Sequence, residues 1–458
     1  MSDEQQPSPA RGSTFHRRRL LVLWPPLIAV AILGFVFIRD LIDFPVYYAA
    51  GRSLLSGRSD LYAPDFAAGR VMDYRYPPFF LLALAPLWLM PYAVAAYVWY
   101  LLGVSQIIGC VVVLRRLHGA ARLNWKVWLI TALSVGQYFV MVLHYGNAHL
   151  IAVFLLFLGF YCVARNQNLA GAAAISLAVT IKLTPVLLLP YFALKRKRNF
   201  LLLAGALLVA INLSSAAYFG VKQNSELLKT WYNHVIAEQE FHEINGPINL
   251  SLKGQLRRYF TQVDYDQRID GDVQYPAINV ASLTTQQTDA AWVMIAAIVF
   301  GSALFVVWQS SRSRLEELGG ARADATAESG NGWLGDRAAF EFGLMICVGL
   351  LVGPLTSKIY FIALLWPIAC LSTFAVNTRT AVARFGYRVL LLIATLNCVL
   401  PLLPGRQLQR LLLVLGVDFF VNCLLLAALA YALVASPRSP AKPSAEPQTQ
   451  SPSAAKTP

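Results

Sequence analysis

The sequence predicts an all-α fold, a polytopic bundle of about 10–12 transmembrane helices joined by external loops. Three observations predict it. Of 458 residues, 57% are hydrophobic and 14% charged, against roughly 25% charged in a soluble domain, so the chain lacks the polar surface a globule in water needs. Apolar runs recur from Leu20 to Val434, many of them near the ~20 residues that cross a bilayer as helix. Basic residues gather between those runs, as in Arg17-Arg18-Arg19, Arg115-Arg116 and Lys195-Arg196-Lys197-Arg198. The net charge of +14 therefore reads as Lys and Arg retained on the cytoplasmic side, and a nucleic-acid partner is excluded.

Taken in order, residues 1–16 read as a disordered cytoplasmic tail, 17–435 as one membrane domain and 436–458, rich in Ser, Pro and Ala, as a second disordered tail. Both termini are expected in the cytoplasm of a multi-pass plasma-membrane protein. Leu20–Ile38 crosses outward, with no small-residue cleavage site after it. Residues 39–77 form an external segment in which Arg39, Arg52, Arg58, Arg70 and Arg75 balance Asp40, Asp43, Asp60, Asp65 and Asp73. Phe79–Met90, bracketed by Pro77-Pro78 and Pro91, is a short or re-entrant piece. Ala93–Leu114 returns inward, and further spans follow at 127–144, 148–164, 200–220, 290–309, 339–353, 359–375, 386–403 and 411–434. Leu169–Leu194, interrupted at Lys182 and Pro185, reads as two short helices with Lys182 near the outer side. The polar insert 221–289 is external, and Ser310–Arg337 is a flexible internal connector.

Candidate chemistry collects on the outer side. Asp43 sits where the first span leaves the membrane. A carboxylate there can ionise and still face a lipid-borne substrate, whereas in hydrocarbon the same charge is costly. Asp40 is the competing acid. Lys182 and Lys358 are cations in apolar surroundings, read either as ligands of an anion or as side chains that snorkel to the interface. Tyr47 and Tyr48 either stack on a sugar ring or line the interface. His144 and His149 bracket Tyr145-Gly146-Asn147 without an evident third ligand, so no metal is expected. The six cysteines lie in apolar stretches with no paired spacing. No Walker loop, GxSxG, HExxH or dinucleotide fingerprint is present, and no cofactor is expected.

Several short motifs occur in order: Asp43-Phe44-Pro45-Val46-Tyr47-Tyr48-Ala49-Ala50-Gly51, Tyr76-Pro77-Pro78-Phe79, Tyr145-Gly146-Asn147, Lys182 with Pro185, Asn249-Leu250-Ser251-Leu252 and Gly353-Pro354-Leu355-Thr356-Ser357-Lys358. This series resembles glycosyltransferase family 87, the polyprenyl-phosphate-mannose-dependent mannosyltransferases of the GT-C class. The resemblance implies a GT-C-like enzyme that passes a hexose, by default mannose, from a polyprenyl-phosphate donor to a hydroxyl of a glycolipid or glycan at the non-cytoplasmic face, with inversion. It implies Asp43 as general base. Tyr47, Tyr48, Asn147, Lys182, Asn249, Arg257 and Lys358 become candidate substrate-binding residues, with Arg258 as an alternative to Arg257. Asp43, Lys182 and Lys358 are then expected to line one cavity open to solvent and to lipid. The resemblance departs at Ser357-Lys358-Ile359-Tyr360, where many relatives carry Trp and His, so no histidine role transfers there. A lipid-linked glycan transporter or flippase, or a polymerase-like factor, is the alternative; a purely structural subunit ranks third because it would not need Lys182 or Lys358.

Overall fold

The structure, a computed structural model, describes residues 28–63, 65–67, 73–118, 123–233, 246–262, 275–319, 336–377, 381–402 and 406–435. Both expected tails and the first residues of the first span lie outside them, as do parts of the two segments expected to be external. The described residues are helical, without strands. Six helices are long and apolar enough to cross a membrane: Tyr92–His118, Trp125–Tyr145, Arg198–Phe219, Thr285–Arg312, Lys358–Val376 and Val417–Val434. Shorter apolar helices cover Ile28–Phe37, His149–Ala164, Asn168–Ile181 and Thr184–Leu194. Asp336–Val352 and Ala381–Val399 pack among them.

Local chemistry sets the helix ends. Asn124 caps Trp125–Tyr145 by accepting from the Lys126 and Val127 amides, which answers two of the donors a helix start leaves unpaired. Gly146, at φ 61°, ends the same helix in the left-handed conformation that only glycine adopts cheaply. The hairpin of His149–Ala164 and Asn168–Ile181 is tight because Gly159 faces Ile175 and Gly171 faces Val163, and small residues let two backbones approach. A core of stacked aromatics fills the bundle: Phe160 lies 4.1 Å from Phe342, and Trp366, fully buried, meets Phe157 at 4.9 Å. Outward-facing Leu202, Ile298 and Phe305 are 58–74% exposed, the apolar rind expected where the neighbour is lipid.

Three boundaries differ from expectation. The connector expected from Ser310 is helical as far as Gly319. The span expected at 411–434 breaks at Gly416, φ 68°, into Arg406–Leu415 and Val417–Ala435. The span expected at 359–375 begins as a 3-10 turn, Lys358–Leu364, before the α-helix Leu365–Asn377.

The segment after the first span is a packed cap. Helix Phe44–Leu55 buries Phe44, Val46, Tyr47, Ala50 and Leu54 in a second core with Leu61, Phe66, Tyr74, Phe80, Trp88 and Trp99. Gly51 lies directly against the Trp88 ring. This packing is what holds Asp43, the residue before the helix, at a fixed place.

Candidate active site

Asp43 is fixed through backbone and side chain. The amides of Ile42 and Asp43 donate to the Tyr145 carbonyl at 3.2 and 2.8 Å, tying the cap to the end of Trp125–Tyr145. The Asn147 amide nitrogen donates to Asp43 Oδ2 at 2.9 Å, and Asn147 Oδ1 accepts from the His149 amide at 2.8 Å. Because the oxygen takes that backbone N–H, the NH2 end must face the carboxylate. The turn carrying Asn147 is pinned again where Trp99 Nε1 donates to the Gly146 carbonyl at 2.9 Å.

Tyr47 follows one turn into the helix. Its hydroxyl accepts from the Ala148 amide at 3.3 Å and shares a 2.9 Å hydrogen bond with the Tyr76 hydroxyl. Burial pushes both phenols up from their ordinary pKa, so they remain neutral hydrogen-bonding groups around neutral pH.

Lys182 ends helix Asn168–Ile181 in extended geometry, φ −140°. Its ammonium donates to the Tyr360 hydroxyl at 2.9 Å and lies 5.3 Å from the centre of the Tyr76 ring. Among the described residues it has no carboxylate at ion-pair distance. An ammonium only donates, so the Tyr360 oxygen serves as acceptor and its own O–H stays available. The Tyr360 ring is held by stacking on His149, centroids 4.3 Å apart.

These groups meet at one cavity of about 430 Å³. Asp43, Tyr47, Tyr76, Asn147, Lys182 and Tyr360 line it, with Asp73, Arg75 and Trp231; Ile181, Leu183, Val186, Leu187 and Val352 supply apolar wall. It therefore joins a carboxylate, a cation that has no carboxylate at ion-pair distance among the described residues, and hydrocarbon surface.

The other expected residues lie elsewhere. Lys358 does not line the cavity: its ammonium is 3.6 Å from Asp418 Oδ2, and Asp418 also accepts from Tyr138 at 2.6 Å and Asn397 at 2.9 Å. The expectation of one cavity holds for Asp43 and Lys182 but not for Lys358, because a buried acid from the last helix engages it. Tyr48, about 100° around the helix from Tyr47, donates to the Met90 carbonyl. Asn249 is wholly buried, donating to the Pro354 carbonyl and accepting from the Ser251 and Thr356 amides; it latches its segment onto the turn that begins at Gly353. Arg257 grips both oxygens of Asp289 at 2.9 Å, while Arg258 donates to the Gly246 and Pro247 carbonyls. Asp40 is exposed and off the cavity. Among the described residues no group of three His, Cys, Asp or Glu is placed to hold a metal.

Asp73, Arg75, Trp231 and Tyr360 were not singled out from sequence as binding residues. Tyr360 had one signal, its place in the motif that departs from the family pattern. The others had none beyond residue type, because 73–75 and 231 are joined only by the fold.

Residues 74–327 match the model of glycosyltransferase family 87. Two curated relatives come from Mycolicibacterium smegmatis. One, a polyprenol-phosphate-mannose-dependent alpha-(1-2)-phosphatidylinositol pentamannoside mannosyltransferase, is 29% identical over 38% of this chain and 44% of its own length. The other, a polyprenol-phosphate-mannose-dependent alpha-(1-2)-phosphatidylinositol mannoside mannosyltransferase, is 30% identical over 43% and 47%. The matched stretch thus spans under half the length of each. Among solved structures, ArnT from Cupriavidus metallidurans bound to undecaprenyl phosphate superposes over 90% of this chain and 78% of its own, with 14% identity and a TM-score of 0.35. Asp43 precedes the matched span.

Proposed function

The chain belongs to glycosyltransferase family 87, and on that premise we propose that it is a multi-pass membrane enzyme. It transfers a hexose, by default mannose, from a polyprenyl-phosphate donor to a hydroxyl of a glycolipid or glycan. The reaction runs with inversion at the non-cytoplasmic face of the plasma membrane, with both termini inside. One observation carries the reading: Asp43 and Lys182, far apart in sequence, line one cavity that also has an apolar wall.

In this mechanism the acceptor oxygen attacks the anomeric carbon while its proton passes to the Asp43 carboxylate. The bond from that carbon to the phosphate oxygen breaks, and its electron pair leaves with the polyprenyl phosphate. Proton transfer requires a carboxylate within hydrogen-bond reach of the attacking hydroxyl, and the Asn147 bond orients the Asp43 carboxylate at the cavity wall. The leaving phosphate gains charge as the bond breaks. Lys182 and the Tyr360 hydroxyl supply cation and donor there, stabilising the transition state where charge develops. Ile181, Leu183, Val186 and Leu187, which adjoin Lys182 in sequence, give the first prenyl units an apolar wall.

The test uses the purified chain in liposomes with radiolabelled polyprenyl-phosphate mannose and envelope glycolipids. Label moving into a lipid-extractable glycan without any nucleotide sugar is the expected result. If labelled lipid only crosses the bilayer and no glycan product forms, the transporter reading replaces this one.

A further inference from the structure

The cavity has a second polar region at Asp73, Arg75 and Trp231, which the chemistry above does not use. Residues 73–75 are not helical, and the exposure alternates: Asp73 is exposed, Tyr74 is buried in the core of the cap and Arg75 is half-buried. Asp73 and Arg75 both line the cavity, whereas Tyr74 belongs to the core of the cap. Trp231 ends helix Val221–Trp231 and donates its indole N–H to the Arg75 carbonyl at 3.2 Å. Its only donor is thereby engaged, so what it offers the cavity is apolar ring. Asp73 makes no hydrogen bond or ion pair among the described residues, which leaves its carboxylate oxygens to accept from a ligand.

We propose that Asp73, Arg75 and Trp231 form the subsite for the acceptor head group, and that this head group is uncharged and polyhydroxylated, a sugar or cyclic polyol. An unpaired carboxylate repels a phosphate but accepts from adjacent hydroxyls; an indole ring covers the C–H face of a saccharide; a guanidinium donates to its oxygens. The cavity then separates its two substrates by charge, the donor phosphate at Lys182 and the neutral acceptor at Asp73. This inference rests on the glycosyltransferase reading and is tested so that the two fail separately.

The experiment measures KM for donor and for acceptor glycolipid with the full chain in nanodiscs, comparing wild type, Asp73→Ala, Trp231→Phe and Trp231→Leu. Binding of methyl α-mannoside to wild type and Asp73→Ala is titrated in parallel. Asp73→Ala is expected to raise acceptor KM about tenfold, the loss of hydrogen bonds to a charged group, with donor KM unchanged. Trp231→Phe, which keeps a ring, is expected to hold acceptor affinity, and Trp231→Leu to lose it. Mannoside binding is expected to weaken in Asp73→Ala. Unchanged acceptor KM and mannoside binding in Asp73→Ala overturn the subsite, as does an equal rise in donor KM. If the mannoside binds through Asp73 while wild type transfers nothing, the subsite stands and the transferase reading falls.

Discussion

Replacing Lys358 with Met separates two roles for this cation, partner of Asp418 or ligand of the donor phosphate. The Asp418 carboxylate is 2% exposed and Lys358 15%, so the pair is enclosed. Removing the ammonium leaves a buried anion whose remaining support is the hydrogen bonds from Tyr138 and Asn397. Breaking one side of such a pair costs about 3–5 kcal/mol; with the two hydrogen bonds intact, the lower end, about 3 kcal/mol, is expected. The double variant Lys358→Met with Asp418→Asn removes both charges and keeps an acceptor for Tyr138, so it should return to within about 1 kcal/mol of wild type. Unfolding in detergent, followed by tryptophan fluorescence across the four members of the cycle, reads the coupling. Donor KM in the refolded double variant should stay within about twofold of wild type, since no transition-state contact is lost. Additive losses across the cycle would refute the ion-pair account. A large rise in donor KM with stability restored would return Lys358 to the phosphate.

Asn147→Ala removes the amide that orients Asp43, a hydrogen bond to a charged group worth about 1.5–3 kcal/mol; kcat should fall about ten- to a hundredfold with donor KM little changed, as steady-state transfer assays will read. Tyr360→Phe keeps the stack on His149 but deletes the hydroxyl beside Lys182, and polyprenyl-phosphate affinity, measured by titration in nanodiscs, should weaken about fivefold or more; unchanged affinity places the phosphate elsewhere. Gly51→Ala drives a methyl group into the Trp88 ring, and the resulting overpacking should cost about 1–3 kcal/mol in detergent unfolding.

The sequence made the helical membrane fold legible because composition and the length of apolar runs respond to the bilayer alone. Breaks at Pro77-Pro78 and Pro185 were readable because proline lacks the amide a helix interior needs, and Lys182 because a charge is costly within an apolar span. The 3-10 start at Lys358 and the break at Gly416 were not, since only tertiary packing decides there between one helix and two pieces. In the site, Asp43, Tyr47, Asn147 and Lys182 come together from separated motifs. Lys358 does not join them, because its partner Asp418 lies inside an apolar run and no local pattern announces that they meet. Tyr48 illustrates a second limit: neighbouring residues on a helix face different ways, so at most one of Tyr47 and Tyr48 could reach the cavity. Asn249 and Arg257 are polar, yet their hydrogen bonds go to Pro354 and Asp289; residue type cannot separate a latch from a ligand. Asp73 and Trp231 lie some 150 residues apart in sequence and became neighbours only through the fold.

The central claim is that Asp43 removes the acceptor proton. The most direct measurement is single-turnover transfer from radiolabelled polyprenyl-phosphate mannose by wild type, Asp43→Asn and Asp43→Glu, with donor binding measured on the same preparations. The account predicts that Asp43→Asn binds donor as wild type does but transfers at least about a hundredfold more slowly, while Asp43→Glu recovers part of the rate. Wild-type transfer by Asp43→Asn would contradict it.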